Sequence, residues 1–386
     1  MNFTHELKSA IINRMGLSKV EKKKGLKKWM IAVICIICVI ALAAGGVCAW
    51  LFIPRRGEES HEIWLSSDAF DVSDYQTVAK TPGEDFRILQ LADIQLGLPS
   101  ALAETKERIQ EAVEATDPDL ILLTGDNVEG LIGGAVLKPL CKFIDAFGIP
   151  WAPVFGNHDA QGSYDRNWQA EVYESCEHCL FQKGPNSIYG VGNYAVNLTE
   201  NGQIVYSFIL FDSGDWRTYS DGQGDWDYLK EDQINWYEWY VRGISEAVYG
   251  SYDPAAGKVV PSICALHIPL PEYADAMRDY VDADGVGTPP AGASNTGENR
   301  ENVCCPPINS GMFERAKSLG STRAFIAGHD HLNNSVIEYE GIDLAYGYKL
   351  TQNNYHDDTM LGYSLITLSA DCSDLTYEQI PTAIAP

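Results

Sequence analysis

Seven residues able to hold a metal ion fall in five short clusters along the chain. They are Asp93 and Gln95 in Leu-Ala-Asp-Ile-Gln, Asp126 in Gly-Asp-Asn, Asn157 in Gly-Asn-His-Asp, His267 in His-Ile-Pro, and His329 and His331 in Gly-His-Asp-His. A mixture of carboxylate, amide oxygen and imidazole suits manganese, iron or zinc better than calcium, which prefers oxygen donors alone. Two such ions about 3.5 to 4 Å apart polarise phosphoryl oxygens and lower the pKa of a water between them. One carboxylate must then touch both ions. His158 directly follows a member of the set, so its ring is free to face a substrate; the plainer alternative is a histidine that only braces the metal site.

Such a set works only if several strand ends meet. The apolar runs 86–92, 119–124 and 151–155 each close on one of the clusters and alternate with helix-period segments at 101–115 and 134–147. That alternation predicts a mostly parallel sheet with helices on both faces and ligands at the carboxyl ends of its strands. Further short apolar runs at 204–211, 259–267 and 323–327 read as strands, the last two leading to His267 and His329. Runs at 335–339, 344–350 and 363–368 read as consecutive antiparallel strands closing a second sheet. The expected architecture is a four-layer α/β/β/α sandwich of two mixed sheets flanked by helices. The Gly-, Pro-, Asn- and Thr-rich stretch 285–307 reads as an irregular insertion, either a gate beside the site or a surface excursion.

In this order, and across roughly 86–368, the five clusters resemble the signature of the calcineurin-like metallophosphoesterase family, which runs DxH, GDxxD or GDN, GNH(D/E), H and GHxH. Gly190-Val-Gly-Asn-Tyr194 and Phe211-Asp-Ser-Gly214 resemble the branch related to purple acid phosphatases. The resemblance implies a hydrolase of phosphate esters with two divalent ions bridged by Asp126. Asp93, Gln95 and His331 would complete the first ion and Asn157, His267 and His329 the second. It also implies that His158 stabilises the transferring phosphoryl group and protonates the leaving alkoxide. Asp159 and Asp330, beside ligands, are candidates to orient imidazoles or are simply solvated. His5, His61, His178 and His356 lie outside the motifs, and a surface position is expected for each.

Two departures stand out. Gln95 replaces the usual histidine, as in family members that hydrolyse ADP-ribose and related nucleotides with manganese, and should weaken or alter the first metal. Glu129 stands three residues after Asp126, where phosphoprotein phosphatases of the family carry an aspartate paired with the catalytic histidine, and its longer side chain puts that pairing in doubt. Trp216, Tyr219, Trp226, Tyr228, Trp236, Tyr237, Trp239 and Tyr240 crowd one stretch, which suits either a pocket that stacks a base or sugar, or the core face of a helix. The alternatives to a phosphatase are therefore a nucleotide pyrophosphohydrolase or cyclic nucleotide phosphodiesterase, and a metal-binding sensor without turnover.

Residues 30–53 carry no charge, and as a helix at about 1.5 Å per residue they would span a bilayer core of about 30 Å. Eight Lys and Arg precede this run against two Glu, which by the positive-inside rule puts the N-terminus in the cytoplasm. The expected organisation is a cytoplasmic tail at 1–29, a transmembrane signal anchor at 30–53, a polar stalk at 54–85 and an exported catalytic domain at 86–386. A cleavable signal peptide is the alternative for the apolar run. Beyond residue 56 the chain holds 18 Lys and Arg against 51 Asp and Glu, which repels polyanions and excludes nucleic acid as an expected substrate. Small phosphoesters and the membrane are the expected partners. Cys176-Glu-His-Cys179 lacks a second CxxC to complete a zinc site, leaving a local disulfide or two free thiols.

Overall fold

The computed structural model describes residues 28–382, and within its first helix the side chains of 32–43, 45 and 46. Most of the tail expected at 1–29, with His5, lies outside the described residues. The described residues fall into two units that divide between Leu51 and Phe52. In the first, Lys28–Leu51 forms helix α1 where the anchor was expected. Among the described residues, however, no helix is long and apolar enough to cross a membrane. The fold thus supplies a helix over Lys28–Leu51 but gives the transmembrane expectation at 30–53 no support.

The second unit opens with β1 (Gln76–Ala79) and continues through β2 (Phe86–Leu91), α2 (Leu102–Thr116), β3 (Leu120–Thr124), α3 (Gly133–Asp145), β4 (Trp151–Val154) and α4 (Arg166–Glu174). Next come the hairpin β5 (Tyr194–Glu200) and β6 (Gln203–Leu210), the ribbon β7 (Trp216–Thr218) and β8 (Gly224–Trp226), α5 (Glu231–Tyr249), β9 (Ser262–Ala265) and α6 (Glu272–Met277). A second ribbon, β10 (Val286–Gly287) and β11 (Asn299–Arg300), precedes α7 (Met312–Leu319), β12 (Thr322–Ala327), β13 (Val336–Tyr339), β14 (Ile342–Tyr346), β15 (Gly362–Leu368) and β16 (Leu375–Pro381). The strands form two mixed sheets, ordered β16-β15-β2-β3-β4 and β1-β5-β6-β9-β12-β14-β13. β2, β3 and β4 run parallel, as do β6, β9, β12 and β14.

Alternation along the strands sets the layers. Phe208 and Leu210 of β6, Ile263 and Ala265 of β9, and Ala324 and Ile326 of β12 join a core shared with β2, β3, β4 and the helices α2, α3 and α4. Their neighbours Ile209, Cys264 and Phe325 point the other way, into a second core with Trp236, Tyr237 and Tyr240 of α5 and Met312 and Phe313 of α7. Side chains two apart share a face, so the larger sheet is covered by the smaller sheet on one side and by α5 and α7 on the other. The four-layer order is therefore helices, sheet, sheet, helices.

Three expectations on the layout differ from the structure. Helices cover the first sheet on one face only, because its other face meets the second sheet. The run at 363–368 does not follow its sequence neighbours into that second sheet: β15 crosses back and pairs antiparallel with β2, setting Ile366 against Ile88 and Leu368 against Phe86. The stretch expected as a stalk belongs to the compact unit. β1 pairs with β5, Phe70 packs its ring on Tyr75, Trp239 and Tyr240, and the Gly57 and Glu58 amides donate to Asp165 and Glu171. Aromatic burial fixes a segment whose polar composition suggested freedom. Phe70→Ala should accordingly cost about 2 to 3 kcal/mol in urea unfolding; a loosely attached segment would leave the midpoint unchanged.

Candidate metal centre

Every one of the seven predicted ligands lies just beyond the carboxyl end of a strand, at β2, β3 and β4 of one sheet and β9 and β12 of the other. The structure brings all seven, and His158, to one place. The loops that do so take unusual backbone shapes: Asp93, Gln95, Asp126 and His329 have φ of 53°, 46°, 51° and 80°. Non-glycine residues rarely adopt such angles, and they persist only where the surroundings overdetermine them. Gly125, at φ 90°, lies so close to His267 that a Cβ there would sit 2.5 Å from Nδ1. The Asp93 loop is laced to the Asp126 loop by backbone bonds, including Gln95 N to Asp126 O at 2.7 Å.

His267 Nε2 is the hub. Asn157 Oδ1 lies 3.0 Å from it, Asp126 Oδ1 3.3 Å and His329 Nδ1 3.3 Å. Those separations match the edges of a coordination polyhedron whose bonds are about 2.1 Å long, so these four donors fit a divalent cation. His267 donates Nδ1–H to Thr124 O at 2.8 Å, which turns Nε2 inward. On the other side, His331 Nε2 is 3.5 Å from Asp93 Oδ1 and its Nδ1 donates to Tyr355 O at 2.8 Å. Asp93, Asp126 and His267 are buried and place ligand atoms within 4.8 Å of one another. Gln95 turns its amide nitrogen, not its oxygen, toward Asp126 Oδ2, at 3.1 Å.

Charge follows geometry. Burial alone would raise the Asp126 carboxyl, but His267 and His158 outweigh it and hold it far below the ordinary range. Burial likewise opposes a charge on His267, yet the neighbouring Asp126 lifts it to about 9. His329, desolvated and facing His267, falls to about 3. Burial lowers the Lys349 ammonium to about 8 against the pull of Asp93 and Asp126.

His158 is a quarter exposed and sets Nε2 3.9 Å from Asp126 Oδ2, while its backbone N–H donates to Oδ1 at 2.8 Å. Glu129 does not reach it, since its carboxylate accepts the Asn354 amide at 2.8 Å. Asp159 and Asp330 are buried rather than solvated, and neither orients an imidazole. Asp159 accepts backbone N–H groups from Val128 and Gly156, and Asp330 accepts from Tyr346, Asn333 and Cys304. His61 is exposed, and His178 and His356 are partly exposed. The aromatic stretch divides: Trp236, Tyr237 and Tyr240 fill the core, whereas Trp226 meets His329 edge-on at 4.3 Å beneath the exposed Trp216. Cys176 and Cys179 are free thiols, without the local disulfide.

Three contributors escape the motifs. Arg166 donates to Asp212, Gly156 O and Gly214 O, tying the Asn157 loop to the Phe211-Asp-Ser-Gly stretch. Lys349 and Tyr355 arrive on the loop between β14 and β15; the signal for Lys349 was a lone charge in an apolar run. The 285–307 insertion lies against the histidine loop, with Glu301 accepting Leu332 N–H at 2.8 Å.

A fold of two sheets whose strand ends present this donor set defines a metallophosphoesterase. Residues 86–333 match the calcineurin-like phosphoesterase family, and the chain belongs to it. The chain is 30% identical to a probable inactive purple acid phosphatase 14 of Arabidopsis thaliana, over 72% of this chain and 73% of that one. It is 28% identical to phosphatase DCR2 of Saccharomyces cerevisiae, over 70% of this chain and 49% of that one. A dimetal phosphatase structure from Danio rerio superposes with a TM-score of 0.45 at 12% identity, covering 77% of this chain and 99% of that one. Family and relatives together make the chain a phosphoester hydrolase on the purple acid phosphatase branch.

Burial and the nearby Asp126 raise the Asp159 carboxyl to about 7, against about 4 in an unfolded chain. A raised carboxyl contributes stability that is complete below about pH 4 and lost as pH rises through about 7. In chelator-treated protein, Asp159→Asn should flatten the fall in urea midpoint between pH 5 and pH 8; an unchanged slope would remove Asp159 as its source.

Proposed function

We propose that this protein is an exported, membrane-attached enzyme that hydrolyses small phosphate esters at the centre around Asp126. The observation that carries the catalytic part is the convergence of Asp126, Asn157, His267 and His329 beside a partly exposed His158. A divalent cation held there supplies charge neutralisation for phosphoryl oxygens and acidifies a water. The chain's own groups do the remainder. The Thr124 carbonyl fixes the His267 ring and the Tyr355 carbonyl the His331 ring, and the strained loops keep the donors from rearranging. His158, on the open side and not engaged by Glu129, delivers a proton to the departing alkoxide. Because its backbone is anchored on Asp126 Oδ1, the proton donor and the buried carboxylate move as one unit.

A nucleotide diphosphate or cyclic nucleotide is the second reading. Trp216, 57% exposed on the ribbon whose Trp226 touches His329, is placed to stack a base at the rim.

Export and attachment rest on sequence: the charge-free run at 30–53 follows a basic tail and precedes a strongly acidic body. The attached protein should sediment with membranes and resist carbonate extraction; release into the soluble fraction would end that part of the proposal.

With manganese, iron or zinc, the catalytic unit should hydrolyse p-nitrophenyl phosphate or its bis ester, and a panel of monoesters, cyclic nucleotides and dinucleotide-like diphosphates ranks the substrate class. His158→Ala should keep its metal and lose about 10²- to 10⁴-fold in turnover, whereas Asp126→Asn should lose both metal and turnover. Equal metal content and equal rates in the two variants would refute the roles given.

A further inference from the structure

The two halves of the centre are not equivalent, and the difference lies in one buried lysine. Lys349, 1% exposed, donates from Nζ to Gln95 Oε1 at 2.5 Å and to Asp93 O at 3.0 Å. An ammonium has three donors and no acceptor, so the amide end that faces it must be the oxygen. That settles which way Gln95 points. Its NH₂ is then turned to the site, where it donates to Asp126 Oδ2 at 3.1 Å. An amide NH₂ carries no lone pair for a metal, and here it also covers the carboxylate oxygen that would face the first ion. Both Asp93 oxygens already accept the His329 backbone N–H, at 3.2 and 3.1 Å.

What remains for a first ion is Asp93 and His331, 3.5 Å apart, with a lysine ammonium behind Gln95 that repels any cation placed there. The other half keeps its three other donors within 3.3 Å of His267 Nε2.

Resting on the reading of this cluster as a metal centre, we propose that the protein holds one divalent cation firmly, on Asp126, Asn157, His267 and His329, and that Lys349, through Gln95, takes the place of the second cation. Lys349 is a positioning residue in this arrangement. It locks the Gln95 amide, and its fixed positive charge balances Asp93 and Asp126 where a second ion would otherwise do so.

Metal counting separates this from a two-ion centre without recourse to turnover. The whole protein is incubated with excess manganese, gel-filtered and measured for manganese per chain, with electron paramagnetic resonance reporting whether the ions are isolated or spin-coupled. The expected result is about one isolated ion in the wild type and in Lys349→Arg, rising toward two coupled ions in Lys349→Met, where the Gln95 oxygen is free to turn inward. Two ions in the wild type would overturn the inference and leave the metal-centre reading standing. No ion in the wild type would overturn both. Equal counts in the wild type and a folded Lys349→Met would remove Lys349 from its role. Should Lys349→Met fail to fold by circular dichroism, the wild-type count and line shape decide alone.

Discussion

A single carboxylate stripped of water sets the terms for this molecule. Asp126 has lost its hydration to the junction of two sheets, and a buried charge is tolerated only when its lone pairs are fully answered. Oδ1 is answered by His267 and the His158 backbone, and Oδ2 by the Gln95 amide and, farther off, the His158 ring. His267, His158 and Gln95 come from three different loops, and Asp126 itself from a fourth. Satisfying one group thus fixes the relative position of four strand ends, and the wider donor set follows from that.

The cost of the arrangement shows in the backbone. Four of the residues that build the centre sit at positive φ without being glycine, a strain of order 1 to 3 kcal/mol each. Rigid surroundings offset it. β3 is buried on all five residues, Asp159 clamps two neighbouring loops through their backbone amides, and Arg166 ties the Asn157 loop to the end of β6. The same rigidity serves chemistry, since donors that cannot relax toward one another stay arranged for a cation.

Asymmetry is the second theme. On one side imidazoles and an amide oxygen face inward with their outer nitrogens anchored or packed; on the other, an amide nitrogen and an ammonium stand where oxygen or imidazole would serve a metal. The plant relative that carries "inactive" in its name and the yeast relative named as a phosphatase resemble this chain about equally in identity. Overall similarity therefore does not separate turnover from its loss, whereas the geometry around Gln95, Lys349 and His158 addresses it directly.

The sequence by itself determined the donor set, its order and its attachment to strand ends. Ligand clusters are local, and short apolar runs closing on Asp, Asn and His are visible wherever they occur. It also determined the helices read at 101–115 and 134–147, which the structure places at Leu102–Thr116 and Gly133–Asp145. Only the tertiary structure decided which sheet β15 joins, because an apolar run of seven residues carries no information on its partner. The fate of 57–85 was likewise hidden: Trp64, Phe70 and Tyr75 are sparse among polar residues, and their burial depends on α5 lying opposite. Above all, the orientation of one amide could not be read from its letter. Gln95 belongs to the first cluster in sequence, but the lysine that turns it is 254 positions away, and only folding puts a donor without an acceptor at that distance from its oxygen.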